Sequence, residues 1–242
     1  VDAIVKQMVG RDVKDFYVKR EHSIGPAKLQ VEGLSLRRPG RLERFVLNDI
    51  SFTVNASEVL GLFGLMGAGR TELFETLFGL HGSGLSGTVR INGTQVSIHS
   101  PADAIRAGMA LLPEDRKCDG LVQEMAIAQN ISLASLDKVL TGGLLNTVRE
   151  AKQADAFRDQ LSIKSYSSHQ KANQLSGGNQ QKVVLSKWLV TNPEVLLLDE
   201  RTRGIDVNAK NEIYKLIDDL VSRGMAVVVA SSELPEIMAI AD

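Results

Sequence analysis

Apolar and polar positions change rhythm several times along the 242 residues, and each change predicts an element. LQVEGLSL from Leu29 and FVLNDISFTV from Phe45 alternate apolar and polar residues, the period of strands buried on one face. RRPGR between them supplies the turn. EVLGLFG, ending at Gly64, is a continuous apolar run, as a strand covered on both faces requires. TELFETLFGL then switches to helical spacing, with Leu73, Phe74, Leu77 and Phe78 on one face and Gly79 near the stop. SGTVRINGTQV predicts a hairpin that turns at Asn92–Gly93. SPADAIRAG predicts a short helix capped by Ser100, opened by Pro101 and closed by Gly108.

From about Glu114 to Val190 the pattern is mainly helical. EVLLLDE is a second buried strand, NAKNEIYKLIDDLVSRG an amphipathic helix and MAVVVASS a third core strand. Strand, loop and helix in alternation predict an α/β fold with a parallel core. Residues 28–112 and 191–242 are expected to form that core, residues 113–190 an inserted helical subdomain, and residues 1–27 a short helix and linker. No internal repeat or low-complexity segment is visible. The start at Val1 and the stop within the apolar pattern of MAIAD set the expectation of a piece of a longer polypeptide.

Composition narrows the classes. With 43% apolar and 24% charged residues the chain is ordinary for a globular protein. A formal charge of -1 and no polybasic run argue against a nucleic-acid partner or an anionic membrane recognised by bulk electrostatics. The single Cys118 cannot close an internal disulfide, which fits a reducing compartment. No apolar run approaches the roughly 20 residues of a membrane-spanning helix, so membrane association would come through a partner. His22, His81, His99 and His169 lack metal-ligand spacing.

Three segments carry chemistry. GLMGAGRT comprises Gly64, Leu65, Met66, Gly67, Ala68, Gly69, Arg70 and Thr71, and is spaced like a phosphate-binding loop between a strand and a helix. Glycines let backbone amides approach phosphate oxygens, and the helix start presents its positive end to them. Thr71 is then the expected magnesium ligand. A tight turn with a solvated Arg70 is the plain structural alternative. In EVLLLDE, Asp199 and Glu200 stand at the carboxyl end of a buried strand, Asp199 suited to a magnesium shell and Glu200 to polarising a water. LSGGNQQK places Ser176, Gly177, Gly178 and Asn179 at a second helix start, another anion-binding nest. A flexible connector would not explain the amphipathic helix that follows.

GLMGAGRT, LSGGNQ and LLLDE, in that order, resemble the nucleotide-binding domain of the ATP-binding cassette (ABC) superfamily, across nearly all the chain from Leu29. PEDRKCDGL, SKWLVTNP, TRGIDVNAK and SSELPEI look like the second, C-terminal cassette of tandem ATPases that power bacterial monosaccharide importers of the ribose, galactose and xylose type. AIVKQMVGR looks like their inter-cassette linker. The resemblance implies a P-loop core with an antiparallel β subdomain, ATP and Mg2+ as cofactors, and a head-to-tail partner. That partner would be the N-terminal cassette of the same polypeptide or another ATPase cassette. Ser176, Gly177, Gly178 and Asn179 would complete its site, and Asp206 would lie near the seam. Transmembrane permease subunits would touch the block from Pro113, with a periplasmic sugar-binding protein as an indirect partner, no nucleic acid, and a peripheral place on the cytoplasmic face of the inner membrane.

The chain departs from the family pattern at several positions. The loop lysine is Arg70, whose planar fork does not replace an ammonium geometrically. The magnesium-sensing glutamine is Glu114, a third candidate metal ligand beside Thr71 and Asp199. The switch histidine is Ser232, assigned to the catalytic set with Glu200, and the proline after the glutamate is Arg201. Phe45 is the nearest aromatic for adenine, with core packing its expected job; Trp188 is expected in the core. A positioned acid–base group is worth about 10²–10⁴ in rate. Two weakened phosphate contacts therefore predict a site that holds nucleotide and turns it over slowly. A regulatory nucleotide sensor is the alternative.

Overall fold

A computed structural model describes residues 20–38, 41–65, 67–82, 84–199 and 207–242. The helix expected before residue 20 and the RRPGR turn at 39–40 lie outside them. β1 (Ala27–Arg38) and β2 (Arg41–Asn55) pair antiparallel, with Val31 opposite Phe52 and Leu36 opposite Leu47. The apolar phase slips between Val31 and Leu34, where Gly33 adopts a positive φ of 63°. This bulge keeps Leu29, Val31, Leu34 and Leu36 all buried despite the slip.

β3 (Val59–Phe63) leads into α1 (Arg70–Leu77), which buries Leu73, Phe74 and Leu77. β4 (Leu85–Ile91) and β5 (Thr94–Val96) form the expected hairpin, with Asn92 and Gly93 both at positive φ. These strands complete an antiparallel sheet in the order β2-β1-β4-β5. α2 (Pro101–Arg106) starts as its sequence demands: Ser100 Oγ accepts from the Asp103 amide at 3.3 Å.

β6 (Met109–Leu112) is a core strand that periodicity does not reveal, because its four buried residues are too few to show a period. The block that follows contains α3 (Ile127–Ser132), α4 (Thr147–Gln160) and α5 (Gly177–Leu189), packed on one another. It is not helical throughout. β7 (Leu140–Thr141) and β8 (Leu144–Leu145) make a small hairpin turning at Gly142 and Gly143, both at positive φ.

β9 (Val195–Asp199), α6 (Val207–Ser222), β10 (Ala226–Ser231) and α7 (Leu234–Ile240) close the chain. The second sheet is parallel, ordered β3-β10-β9-β6, and β9 and β10 are buried at every position. That burial accounts for their unbroken apolar runs. All four strands point the same way, so Phe63, Leu112, Asp199 and Ser231 end at one edge of the sheet. Ligand sites of open α/β sheets form at this edge.

Candidate phosphate and metal site

Gly64 leaves β3 with its amide donating to the Ser231 carbonyl at 3.4 Å, and the Ala68 amide closes the loop onto Leu65 at 3.1 Å. Gly69 is the N-cap of α1 at φ 84°, a left-handed conformation that favours glycine. A Cβ there would also meet Leu47 Cδ2 and the Val46 carbonyl at 3.4 Å. Gly69 has no side-chain oxygen to cap the helix, and the first-turn amides have no intrahelical acceptor. They form a donor cluster at the positive end of α1, which suits an anion. The Arg70 stem lies over the loop, its Cδ 3.3 Å from the place a Gly64 Cβ would occupy.

Thr71, Glu114 and Asp199 line one cavity of about 770 Å³ between α1, the segment after β6 and α5. Asp199 is only 2% exposed at the end of β9. Among the described residues no three His, Cys, Asp or Glu side chains form a metal cage of their own. The oxygen donors of Thr71, Asp199 and Glu114 nevertheless suit Mg2+, which takes few protein ligands and fills its shell with phosphate and water. Glu75, Asp115 and Asp119 share the walls with Lys187 and His81, so carboxylates predominate. A divalent cation would reconcile those carboxylates with a phosphate at the same edge.

Two neighbours are tuned by their surroundings. The amides of Cys118 and Lys117 donate to Asp115 Oδ1 and hold its carboxyl below the usual range. Burial pushes the Lys187 ammonium down to about 8. Its Nζ donates to the Gly120 carbonyl at 2.6 Å and lies 4.9 Å from the Trp188 ring centre. Trp188 is 9% exposed, meets Phe78 edge-on at 5.3 Å, and also faces the cavity, so it packs as expected while forming a wall. The sequence did not single out Lys187, which occupies a polar slot in an apolar helix.

Ser232 is exposed directly after β10, beside the Gly64 end of β3. Met66, Glu200, Arg201 and Asp206 lie outside the described residues. Ser176 to Asn179 do not line the cavity that Thr71 and Asp199 share. Ser176 is exposed at the start of α5, and its hydroxyl accepts from Asn179 Nδ2 at 2.9 Å without capping the helix. Asn179 Oδ1 in turn accepts from the Lys164 amide at 2.8 Å, so this side chain braces the turn internally. Gly178 has a packing duty that the sequence concealed: a Cβ there would stand 2.6 Å from Ala209 Cβ on α6. Phe45 corrects an expectation. It is 43% exposed, under the Arg37 guanidinium at 5.1 Å, and not in the core.

A family model described as ABC transporter matches residues 47–203, and the chain belongs to that family. Among curated relatives, the ribose import ATP-binding protein RbsA of Rhodopirellula baltica is 50% identical over 241 residues, covering 100% of this chain and 47% of the relative. The xylose import ATP-binding proteins XylG of Geobacillus kaustophilus and Escherichia coli are 47% and 45% identical, with 100% of this chain and 48% and 47% of each relative covered. The chain thus spans about half the length of the curated relatives it matches. A nucleotide-free ATP-binding cassette from an ABC transporter superposes with a TM-score of 0.74 at 19% identity, covering 89% of this chain and 85% of the other. An ADP-bound cassette gives 0.72 at 19% identity over the same shares. These likenesses establish the ABC cassette fold.

Proposed function

We propose that this chain is the C-terminal ATP-binding cassette of a tandem ATPase that drives import of a monosaccharide such as ribose across the bacterial inner membrane. Residues 28–112 and 191–242 serve as its nucleotide-holding core and residues 113–190 as its helical subdomain. The observation that carries the reading is the convergence of Gly64, Thr71 at the start of α1, Asp199 and Ser231–Ser232 at one edge of the parallel sheet, in a chain 50% identical throughout to a ribose import ATP-binding protein.

Backbone amides of the loop and Arg70 hold the phosphates, while Thr71, Asp199 and Glu114 hold Mg2+, which neutralises phosphate charge when bound. Glu200 orients water. Ser176, Gly177 and Gly178 complete the site of the partner cassette, and Asn179 keeps that turn in shape. With Arg70 for lysine and Ser232 for histidine, this cassette grips nucleotide better than it hydrolyses it. It sits peripherally on the cytoplasmic face, against permease subunits fed by a periplasmic sugar-binding protein.

Three measurements test the reading. Calorimetry of the chain should show heat from Mg-ATP. In the full-length polypeptide, Ser176→Arg should abolish turnover at the partner site, because a bulky cation fills the nest. Unchanged turnover would remove the composite site. Robust hydrolysis at this site, with the partner's loop disabled, would overturn the weakened-chemistry assignment.

A further inference from the structure

Behind the exposed Ser232 stands a polar cluster whose side chains have no role in the proposed nucleotide site. Ser231, Glu236 and Tyr214 are 2%, 3% and 6% exposed, and they come from β10, α7 and α6. Ser231 Oγ donates to Glu236 Oε2 at 2.5 Å and accepts from the Glu233 amide at 3.0 Å. Tyr214 Oη donates to Glu236 Oε1. The serine hydroxyl therefore works in both directions, and each carboxylate oxygen holds one named donor. The carbonyl of the same serine accepts the Gly64 amide at 3.4 Å, at the first residue of the glycine loop.

Burying a carboxyl in a core edge is costly unless it is hydrogen-bonded. An apolar residue would fill the space more cheaply, but it could not fix a turn by direction. We infer that Glu236 is a positioning residue for the nucleotide site. It locks the Ser231–Glu233 turn against α6, and through the Ser231 carbonyl it fixes where the glycine loop leaves β3. Glu236 touches no substrate; its effect reaches the phosphates through the backbone of residues 231 and 64. This inference rests on the proposed binding of Mg-ATP.

The test is calorimetric Kd for Mg-ATP on the 242-residue chain, beside Tm for each variant. Glu236→Ala should raise Kd about tenfold, the loss that follows when buried partners are stranded. Glu236→Gln should restore Kd to near wild type, since an amide can accept from Tyr214 and donate to Ser231. Val31→Ala, a cavity in the antiparallel sheet, should lower Tm and leave Kd unchanged. A wild-type Kd for Glu236→Ala overturns the inference, as does equal weakening by Val31→Ala, which would show general loosening. Tyr214→Phe carries the test if Glu236→Ala does not fold, because it keeps the ring and removes one donor. An unchanged Kd there also overturns it. No heat from the wild-type chain removes the nucleotide reading itself, and this inference with it.

Discussion

Lys187 shows how burial sets the behaviour of one residue. Its ammonium is kept in the core by the Gly120 carbonyl and the Trp188 face, and desolvation brings its pKa from 10.5 to about 8. The native state thus releases this proton more readily than the unfolded chain. Below about pH 8 both states are charged and the full burial cost is present. As pH rises from about 8 to 10.5 the unfolded chain holds more protons, so the native state gains stability. Wild type should gain up to about 3 kcal/mol relative to Lys187→Met over that window, seen in denaturant midpoints of the pair at each pH. The comparison cancels other groups that titrate there. A constant difference would mean that Lys187 titrates normally.

At the scale of elements, local signals were legible and crossings between elements were not. The Asn92–Gly93 turn and Ser100 cap are written in adjacent residues, whereas the bulge at Gly33 passes in the sequence for plain alternation. β6 was missed because four residues carry no period, and the hairpin at Leu140–Leu145 because its leucines lie exposed on a two-strand ribbon. Gly178 is the clearest case. Its neighbours in the sequence point to the opening of a backbone nest, whereas its missing Cβ also lets α5 meet α6. Gly178→Ala should cost about 1–3 kcal/mol through overpacking, despite the better helix propensity of alanine. Adding Ala209→Gly should recover most of that loss, because the new methyl then occupies the space vacated on α6. Urea midpoints of the two variants measure it; no recovery in the double variant would place the strain elsewhere.

In the whole molecule, α6 joins parts that are far apart in sequence. Ala209 abuts Gly178, Glu212 pairs with Lys182 at 2.7 Å, and Lys210 reaches Glu233 at 3.4 Å. Toward its other end, Asp218 accepts His22 Nε2 at 2.8 Å and Arg20 Nε at 3.2 Å, while Asp219 pairs with Arg20 Nη1 at 2.9 Å. The segment entering β1 is therefore strapped to the same helix that braces the Ser176 turn and the Ser231–Glu233 turn. No periodicity in the sequence could announce this, since the partners lie 196 or more residues apart. The Arg20 arm of the strap is 60% exposed and worth about 0–1 kcal/mol, whereas the His22 and Asp218 side chains are only 9% and 14% exposed, so Asp218→Ala should cost about 1–3 kcal/mol by stranding His22. Its effect should be local: faster amide exchange over residues 20–24, with Gly25 still held by the Ala56 carbonyl at 2.9 Å. If α6 transmits that release, the peptides around Ser176 and Glu233 should exchange faster too, while β9 stays protected. Faster exchange at residues 20–24 alone would make the strap a local fastening, and unchanged exchange everywhere would mean that the segment is held by other contacts.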